Sequence, residues 1–495
     1  MYFLGYDIGS SSIKAAIIDA SSNQQLAVAS YPEKEMDMIS EEPGWAEQHP
    51  EDWWAHACEA TRIVLEKAGI DGAQVKGIGI SYQMHGLVLV DQELKVLRPS
   101  IIWCDSRAVP FGDRALQEIG GDKCYYHLLN APGNFTAAKL KWVKENEPEL
   151  FDKVYKIMLP GDYIAMQLTG KVTTTVSGLS EGMFWDFQSH EVADFLMEYM
   201  GFSSSVIPEI VPTFGEQGQL TADAAQKLGL APGTPIGYRA GDQPNNALSL
   251  GALNPGEIAA TGGTSGVVYG VQGSPVFDPK SRVNSFAHVN HTKQDPRIGV
   301  LLCVNGAGIQ YRYMREMMAE DGVTYEKMEQ IIQEVPVGAD GLRIIPFGNG
   351  AERILNNKDI GAHMLNVRFN RHKKAHYYRA ALEGVAYSFI YGIEILKELG
   401  LEINKLRVGN DNLFQSETFS VTVATLANAP IEVVKTTGAI GAARAAGYAT
   451  GHFNTLEEAV AGDSLANTFE PQRTEHQKYR EAYEAWKNEL ARFLN

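Results

Sequence analysis

A chain of 495 residues, 44% of them apolar, is long enough for two large domains or three small ones, each with a substantial core. Its net charge of −17 excludes nucleic acid and anionic membrane as partners, because both require clustered Lys and Arg. The four cysteines, Cys58, Cys104, Cys124 and Cys303, are scattered without CxxC spacing, which excludes a disulfide framework and a zinc site and points to a reducing, cytoplasmic compartment.

The chain opens with an apolar run that stops at Asp7 and has no basic segment, so no signal peptide is expected. No run of eighteen apolar residues is present to span a membrane, and the Asn-x-Thr triplets at Asn134 and Asn290 are read as chance. Residues 3–19 predict a strand, a tight Gly/Ser turn and a second strand. Lys76 to Ser81 predicts a short buried strand. Residues 257–271 repeat the first pattern: with Gly9 set against Gly263, Asp7 stands opposite Thr261, Ser10 opposite Thr264 and Ser11 opposite Ser265. Beyond it come a helix over Tyr378 to Leu396, a buried strand from Leu406 to Gly409, and a small-residue helix over Thr437 to Gly447. Tyr479, Tyr483, Trp486, Leu490 and Phe493 recur at helical spacing, the mark of a helix covering core. Strands alternating with helices in both halves make this an α/β protein, divided at 1–250 and 251–495.

A hairpin tip of Gly, Ser and Thr lets backbone N–H groups and hydroxyls converge on an anion. One such tip reads more readily as an ordinary turn. Two matching tips, one per half, could clamp a polyphosphate between them, with Asp7 placed to hold Mg²⁺ directly or through water. GxxxxGK[ST] is absent, and so are the HRDxxxxN and DFG of protein kinases.

These residues resemble the FGGY carbohydrate kinases, a family sharing the fold of actin, Hsp70 and hexokinase. The resemblance implies two ribonuclease H-like (actin-like ATPase) domains with a cleft between them. The first would carry the sugar site, one phosphate hairpin and the catalytic aspartate, and the second the other hairpin and the adenosine loop. Asp7-Ile-Gly-Ser-Ser-Ser12 is similar to the family's first phosphate motif and Thr261-Gly-Gly-Thr-Ser-Gly266 to its second. That implies ATP contacts at Ser10, Ser11, Ser12, Gly263 and Thr264, and Mg²⁺ at Asp7. Gly241-Asp242-Gln243 resembles the catalytic segment, which implies Asp242 as general base and Gln243 at the substrate. Gly306-Ala-Gly-Ile-Gln310 is similar to a nucleotide-contacting segment, implying ATP contacts at Gly306 and Gln310. Leu382-Glu-Gly-Val385 and Gly438-Ala-Ile-Gly-Ala-Ala443 match helices flanking the nucleotide.

Within the family three features lean toward the xylulose kinases: Gln83-Met84-His85-Gly86, in which Met-His would touch the ketose; Gly44-Trp-Ala-Glu-Gln48 followed by Trp53-Trp54; and Trp103-Cys-Asp105-Ser-Arg107. Trp45, Trp53 and Trp54 read more readily as packing aromatics than as ligands, and Asp105 and Arg107 equally as an ion pair or as substrate contacts. At the adenosine loop, Gly409-Asn410-Asp411-Asn412 stands where the family has a glycine pair, so Asn410 brings a side chain to the nucleotide. The expected reaction is ATP-dependent phosphorylation of D-xylulose to D-xylulose 5-phosphate, with Mg-ATP and a small sugar as partners. The assembly state is left open, a homodimer among the options. The alternatives are a kinase of the same family acting on ribulose, gluconate, fuculose or glycerol, an actin- or Hsp70-like ATPase driven by a protein partner, and a sugar-sensing pseudokinase.

Overall fold

A computed structural model of the chain describes residues 1–318, 320, 322–410, 412–462 and 465–494. Its first large sheet comprises β1 (Tyr2–Ile8), β2 (Ile13–Asp19), β3 (Gln24–Tyr31), β4 (Val75–Tyr82) and β5 (Ile236–Gly241), in the spatial order β5-β4-β1-β2-β3. Strands β1 to β3 are antiparallel, whereas β4 and β5 add in parallel to β1. The second sheet comprises β6 (Glu257–Gly262), β7 (Gly266–Gln272), β8 (Asn284–Ala287), β9 (Ile298–Val304), β10 (Lys405–Gly409), β11 (Ile431–Val434) and β12 (Leu465–Phe469). Its order is β8-β9-β7-β6-β10-β11-β12. Without the edge strands β8 and β12, the remaining order β9-β7-β6-β10-β11 repeats that of the first sheet, with the same parallel and antiparallel neighbours. The weak repeat in the sequence is therefore a repeat of topology.

The central strands of the first sheet are buried on both faces, as parallel strands between helices must be. On one face Leu4, Tyr6, Ile78 and Ile80 pack against α1 (Pro50–Ala68) through Trp53, Ala57 and Val64. Pro50 starts this helix and Gly69, at φ 65°, ends it in a left-handed cap. Four further helices matter for the site: α2 (Asp242–Ser249), α3 (Gly308–Met318), α4 (Lys374–Glu398) and α5 (Gly438–Ala449). Helix α5 belongs to the second half of the sequence, yet it covers the other face of the first sheet. Glycines in the strands make this approach possible: a Cβ on Gly5 would lie 1.9 Å from the Ala439 carbonyl oxygen, and one on Gly79 would lie 2.0 Å from that of Ala442. Thr437 caps α5 by accepting from the Ile440 amide at 3.4 Å.

The C-terminal stripe lies on α6 (His476–Leu494). Tyr479, Tyr483, Trp486 and Leu490 are buried, Trp486 Nε1 donates to the Ile344 carbonyl at 2.8 Å, and Phe493 stacks on His363. The stripe covers core, as its spacing predicts. Among the described residues no helix is long and apolar enough to cross a membrane.

Candidate active site

Strands β1, β4 and β5 run in register at their carboxyl ends, with Asp7 beside Ser81 and Ser81 beside Ala240. Ligands of open α/β sheets bind at such ends. Ser81 Oγ donates to Asp7 Oδ1 at 3.1 Å. Strand β5 stops at Gly241, and Asp242 is the first residue of α2. The N-terminus of α5 arrives at the same place: a Cβ on Gly438 would lie 3.0 Å from Asp7 Oδ2, and Asn245 Nδ2 donates to the Gly438 carbonyl at 2.9 Å. Two carboxylates thus stand among the positive ends of two helices, which partly offset their mutual repulsion. Burial, then the charge of Asp7, raise the Asp242 carboxyl from an ordinary 3.8 to about 7, against hydrogen bonds from Gln243 that lower it.

The segment after β4 forms the acceptor side. Met84 is buried against Gly241, where a Cβ would come within 2.6 Å of Met84 Cγ. His85 holds a left-handed backbone, φ 61°, and its ring packs between Phe135 and Phe286, centroids 4.7 and 5.4 Å away. Burial, and then Lys139, push its imidazole down to about 3, so the ring is neutral at physiological pH. Glu181, the last residue of the short helix Val176–Glu181, is buried behind His85 and Gly241. Desolvation holds its carboxyl well above the usual range. Sequence reasoning missed it; the one available signal is an acidic residue inside the otherwise uncharged run from Val172 to Trp185.

Asp105 is fully buried, and its oxygens are taken up internally. Oδ2 accepts from the Ala46 amide at 2.6 Å, Oδ1 accepts from the Arg107 amide at 2.9 Å, and Arg107 Nη2 pairs with Oδ2 at 2.7 Å. The Arg107 guanidinium also lies 3.8 Å from the centre of the Trp45 ring. The structure places these residues in a brace behind the site, with Asp105 closed off from the cleft. Trp53 is core, donating to Gln48 Oε1 at 3.1 Å. Trp103 is half-exposed at the first hairpin tip, donating to Ser10 Oγ at 3.2 Å. Ser12 Oγ accepts from Ser30, and Ser11 is exposed.

The second tip is fixed to the start of α3 by bonds from the Gly308 and Ile309 amides to the Gly263 and Thr264 carbonyls, at 3.0 and 3.1 Å. Beside it opens a cavity of about 670 Å³ lined by Gly263, Thr264, Ile309, Tyr311, Tyr325 and Leu413, among others. Tyr311 and Tyr325 stack with centroids 5.6 Å apart, and Glu329, on the cavity wall, accepts from Ser416 Oγ at 2.6 Å. The size and the aromatic wall suit a purine nucleoside. None of Tyr311, Tyr325, Glu329 or Leu413 stands out in the sequence, because they come from three separate elements, with Tyr325 and Glu329 sharing the helix Tyr325–Ile332.

The other predicted nucleotide residues are placed around this cavity rather than in its lining. Gly306 abuts Pro346, whose carbonyl oxygen a Cβ would approach to 2.0 Å, and gives its amide to Glu352 at 2.9 Å. Gln310 faces a separate cavity of about 400 Å³ with Tyr313, Met314 and Pro346. Gly409 ends β10 and Asn410 is exposed, its amide bonded to the Val434 carbonyl at 3.1 Å. Asp411 lies outside the described residues.

Models of the FGGY family of carbohydrate kinases match the chain twice: the N-terminal domain over residues 2–249 and the C-terminal domain over residues 258–450. The chain belongs to this family. A xylulose kinase of Bacillus subtilis is 30% identical over 98% of this chain and 96% of its own length. One from Staphylococcus epidermidis is 27% identical over 98% and 95%. The crystal structure of xylulose kinase from Rhodospirillum rubrum superposes with a TM-score of 0.89 at 25% identity, covering 99% of this chain and 98% of the other. Membership of a carbohydrate kinase family, whose members pass the ATP phosphoryl group to a sugar, sets aside the reading as a partner-driven ATPase, and the two topologically equivalent sheets are its two actin-like domains.

Proposed function

We propose that this FGGY kinase transfers the ATP γ-phosphoryl group to D-xylulose, giving D-xylulose 5-phosphate, with Asp242 as the general base. The observation that carries the reading is the setting of Asp242. Its carboxyl is raised to about 7, with Asp7 on one side and the Met84–His85 segment against Gly241 on the other. A sugar hydroxyl is a poor nucleophile at neutral pH, and a carboxylate poised near 7 accepts its proton as the bond to phosphorus forms, a contribution of roughly 10²–10⁴ in rate. The relatives at 30% and 27% identity over 98% of the chain are xylulose kinases, which favours this ketose over gluconate, ribulose or glycerol.

Asp7, flanked by Asp242, suits Mg²⁺, which binds through one or two carboxylates and completes its shell with phosphate oxygens and water. Among the described residues no cluster of three or more acidic, His or Cys side chains forms a self-sufficient metal cage, in keeping with a cation delivered with the nucleotide. When bound it neutralises charge on the transferring phosphate. Ser10, Ser11 and Ser12 on one tip and Gly263 and Thr264 on the other would hold the phosphates, with the nucleoside in the cavity beside Tyr311. Four free thiols support a cytoplasmic location.

ADP release over ketoses, polyols and aldonates tests the proposal. D-xylulose should give the highest kcat/KM. A preference of tenfold or more for gluconate, glycerol or ribulose would overturn the xylulose assignment and leave the carbohydrate kinase standing.

A further inference from the structure

His85 is held in a way that a surface histidine would not require. Its peptide group lies in the left-handed region, at φ 61°, a conformation that costs a non-glycine residue free energy unless its surroundings enforce it. Two buried ionisable side chains grip its backbone from opposite ends. The His85 amide donates to Glu181 Oε2 at 3.2 Å, and the His85 carbonyl accepts from Lys139 Nζ at 2.8 Å. Lys139 is itself fully buried and donates also to the Ile102 carbonyl at 3.0 Å. A third bond fixes the ring: Nδ1 lies 3.0 Å from the Glu181 backbone carbonyl. A carbonyl oxygen only accepts, so Nδ1 carries the proton and Nε2 presents a lone pair. Among the described residues nothing bonds to Nε2.

Glu181 is anchored from the far side. In its helix, Ser180 Oγ accepts from the Ala287 amide at 2.9 Å and Ser177 Oγ donates to the Ala287 carbonyl at 3.3 Å, both on β8 of the second sheet. Strand β8 also supplies Phe286 to the His85 ring. The Glu181 carboxyl is buried with the Tyr82 hydroxyl as a side-chain hydrogen-bond partner, and both carboxyl oxygens lie 3.3 Å from where a Cβ on Gly241 would sit, one residue before Asp242. A buried carboxyl of this kind carries a cost that an ordinary structural position avoids.

We propose that Glu181 and Lys139 are positioning residues for the acceptor: together they lock His85 in its left-handed conformation and in the Nδ1–H tautomer, so that Nε2 accepts a hydrogen bond from one hydroxyl of the sugar. This rests on the reading of Met84–His85 as the sugar side of the cleft. Glu181 acts through His85 and touches no reacting atom. Specificity then comes from geometry set by a carboxyl group and an amino group that the sugar never meets.

Two measurements test this. In ¹⁵N-labelled wild-type protein, the His85 ring should show a protonated Nδ1 and an unprotonated Nε2, and the Nε2 resonance should move on adding D-xylulose. A protonated Nε2 would overturn the proposal whatever the mutants do. In steady-state kinetics, Glu181→Leu should raise KM for the sugar by about tenfold or more, the scale of one lost hydrogen bond, with KM for ATP changed less than about twofold. Glu181→Gln keeps an oxygen to accept from the His85 amide and should restore most of the sugar affinity. Unchanged sugar KM in Glu181→Leu, or equal losses in Glu181→Leu and Glu181→Gln with both folded by circular dichroism, would also overturn it. If the wild-type protein phosphorylates a different sugar, the xylulose assignment fails, while the tautomer measurement, run with that sugar, still tests the clamp.

Discussion

Burial and the charge of Asp7 hold the Asp242 carboxyl at about 7, so near neutral pH a substantial fraction is ionised and ready to take a proton. Asp242→Asn keeps the size of the side chain and removes the acceptor. It should lower kcat by at least roughly a hundredfold while ATP and sugar affinities change much less, because the lost interaction develops in the transition state. Titration calorimetry alongside steady-state rates checks the contrast, and near-normal turnover would remove Asp242 as the base. The same shift has a consequence for stability. An acid raised from 3.8 to about 7 on folding binds its proton more tightly in the folded state, so its contribution is full below about pH 4 and is lost as pH rises to about 7. Asparagine carries no such dependence. The Tm of Asp242→Asn relative to wild type should therefore rise between about pH 4 and about pH 8. A difference that stays flat across this range would contradict the raised pKa.

Helix α5 shows how an element of one half comes to serve the other. Its small residues lie flat on the first sheet because Gly5 and Gly79 leave no side chains in the way, and this contact delivers Gly438 to Asp7. Gly79→Val should destabilise the protein by about 2–3 kcal/mol, the scale of overpacking at a close backbone contact, and should lower activity as well by displacing the helix start. Gly69 makes an instructive control. It has open space around it, but its φ of 65° is unfavourable for a residue with a Cβ. Gly69→Ala should cost about 1 kcal/mol with normal turnover. Urea denaturation of both variants, with rates measured in parallel, separates the two effects. A Gly79→Val protein with native stability and activity would show that α5 does not depend on this contact.

The whole molecule presents its two sheets to a shared cleft. Asp7 and Asp242 stand at strand ends of the first sheet, and the Gly263–Thr264 tip stands at the end of a β-hairpin of the second. His85, from the first half, packs on Phe286 from the second, so the acceptor side already spans both. Water is smaller than a sugar and competes as a nucleophile, which makes closure over the sugar the natural safeguard. ATP hydrolysis without sugar should accordingly be slower than sugar phosphorylation by roughly a hundredfold or more, and D-xylulose should reduce the radius of gyration in small-angle scattering. Equal rates of ADP release with and without sugar would rule out such coupling.

The family, the α/β class and the twofold repeat were legible in the sequence because each is written in short contiguous patterns. The two Gly/Ser/Thr turns, Gly-Asp242-Gln and Met84-His85 depend on neighbours a few residues away, and periodicity alone marked the α6 stripe as core. What the tertiary structure decided is long-range. Asp105 matches a W-x-D-x-R segment, yet only folding brings the Ala46 amide and Arg107 around its carboxylate and closes it from the cleft. Tyr311, Tyr325 and Leu413 meet around one cavity from three separate segments, and no local pattern announces that meeting. Glu181 stands 96 residues from His85, and its importance comes from burial and a backbone bond, neither of which depends on local sequence order. Local order sets turns, periods and motifs through short-range sterics, whereas ionisation states and cavity walls arise only when distant segments exclude water together.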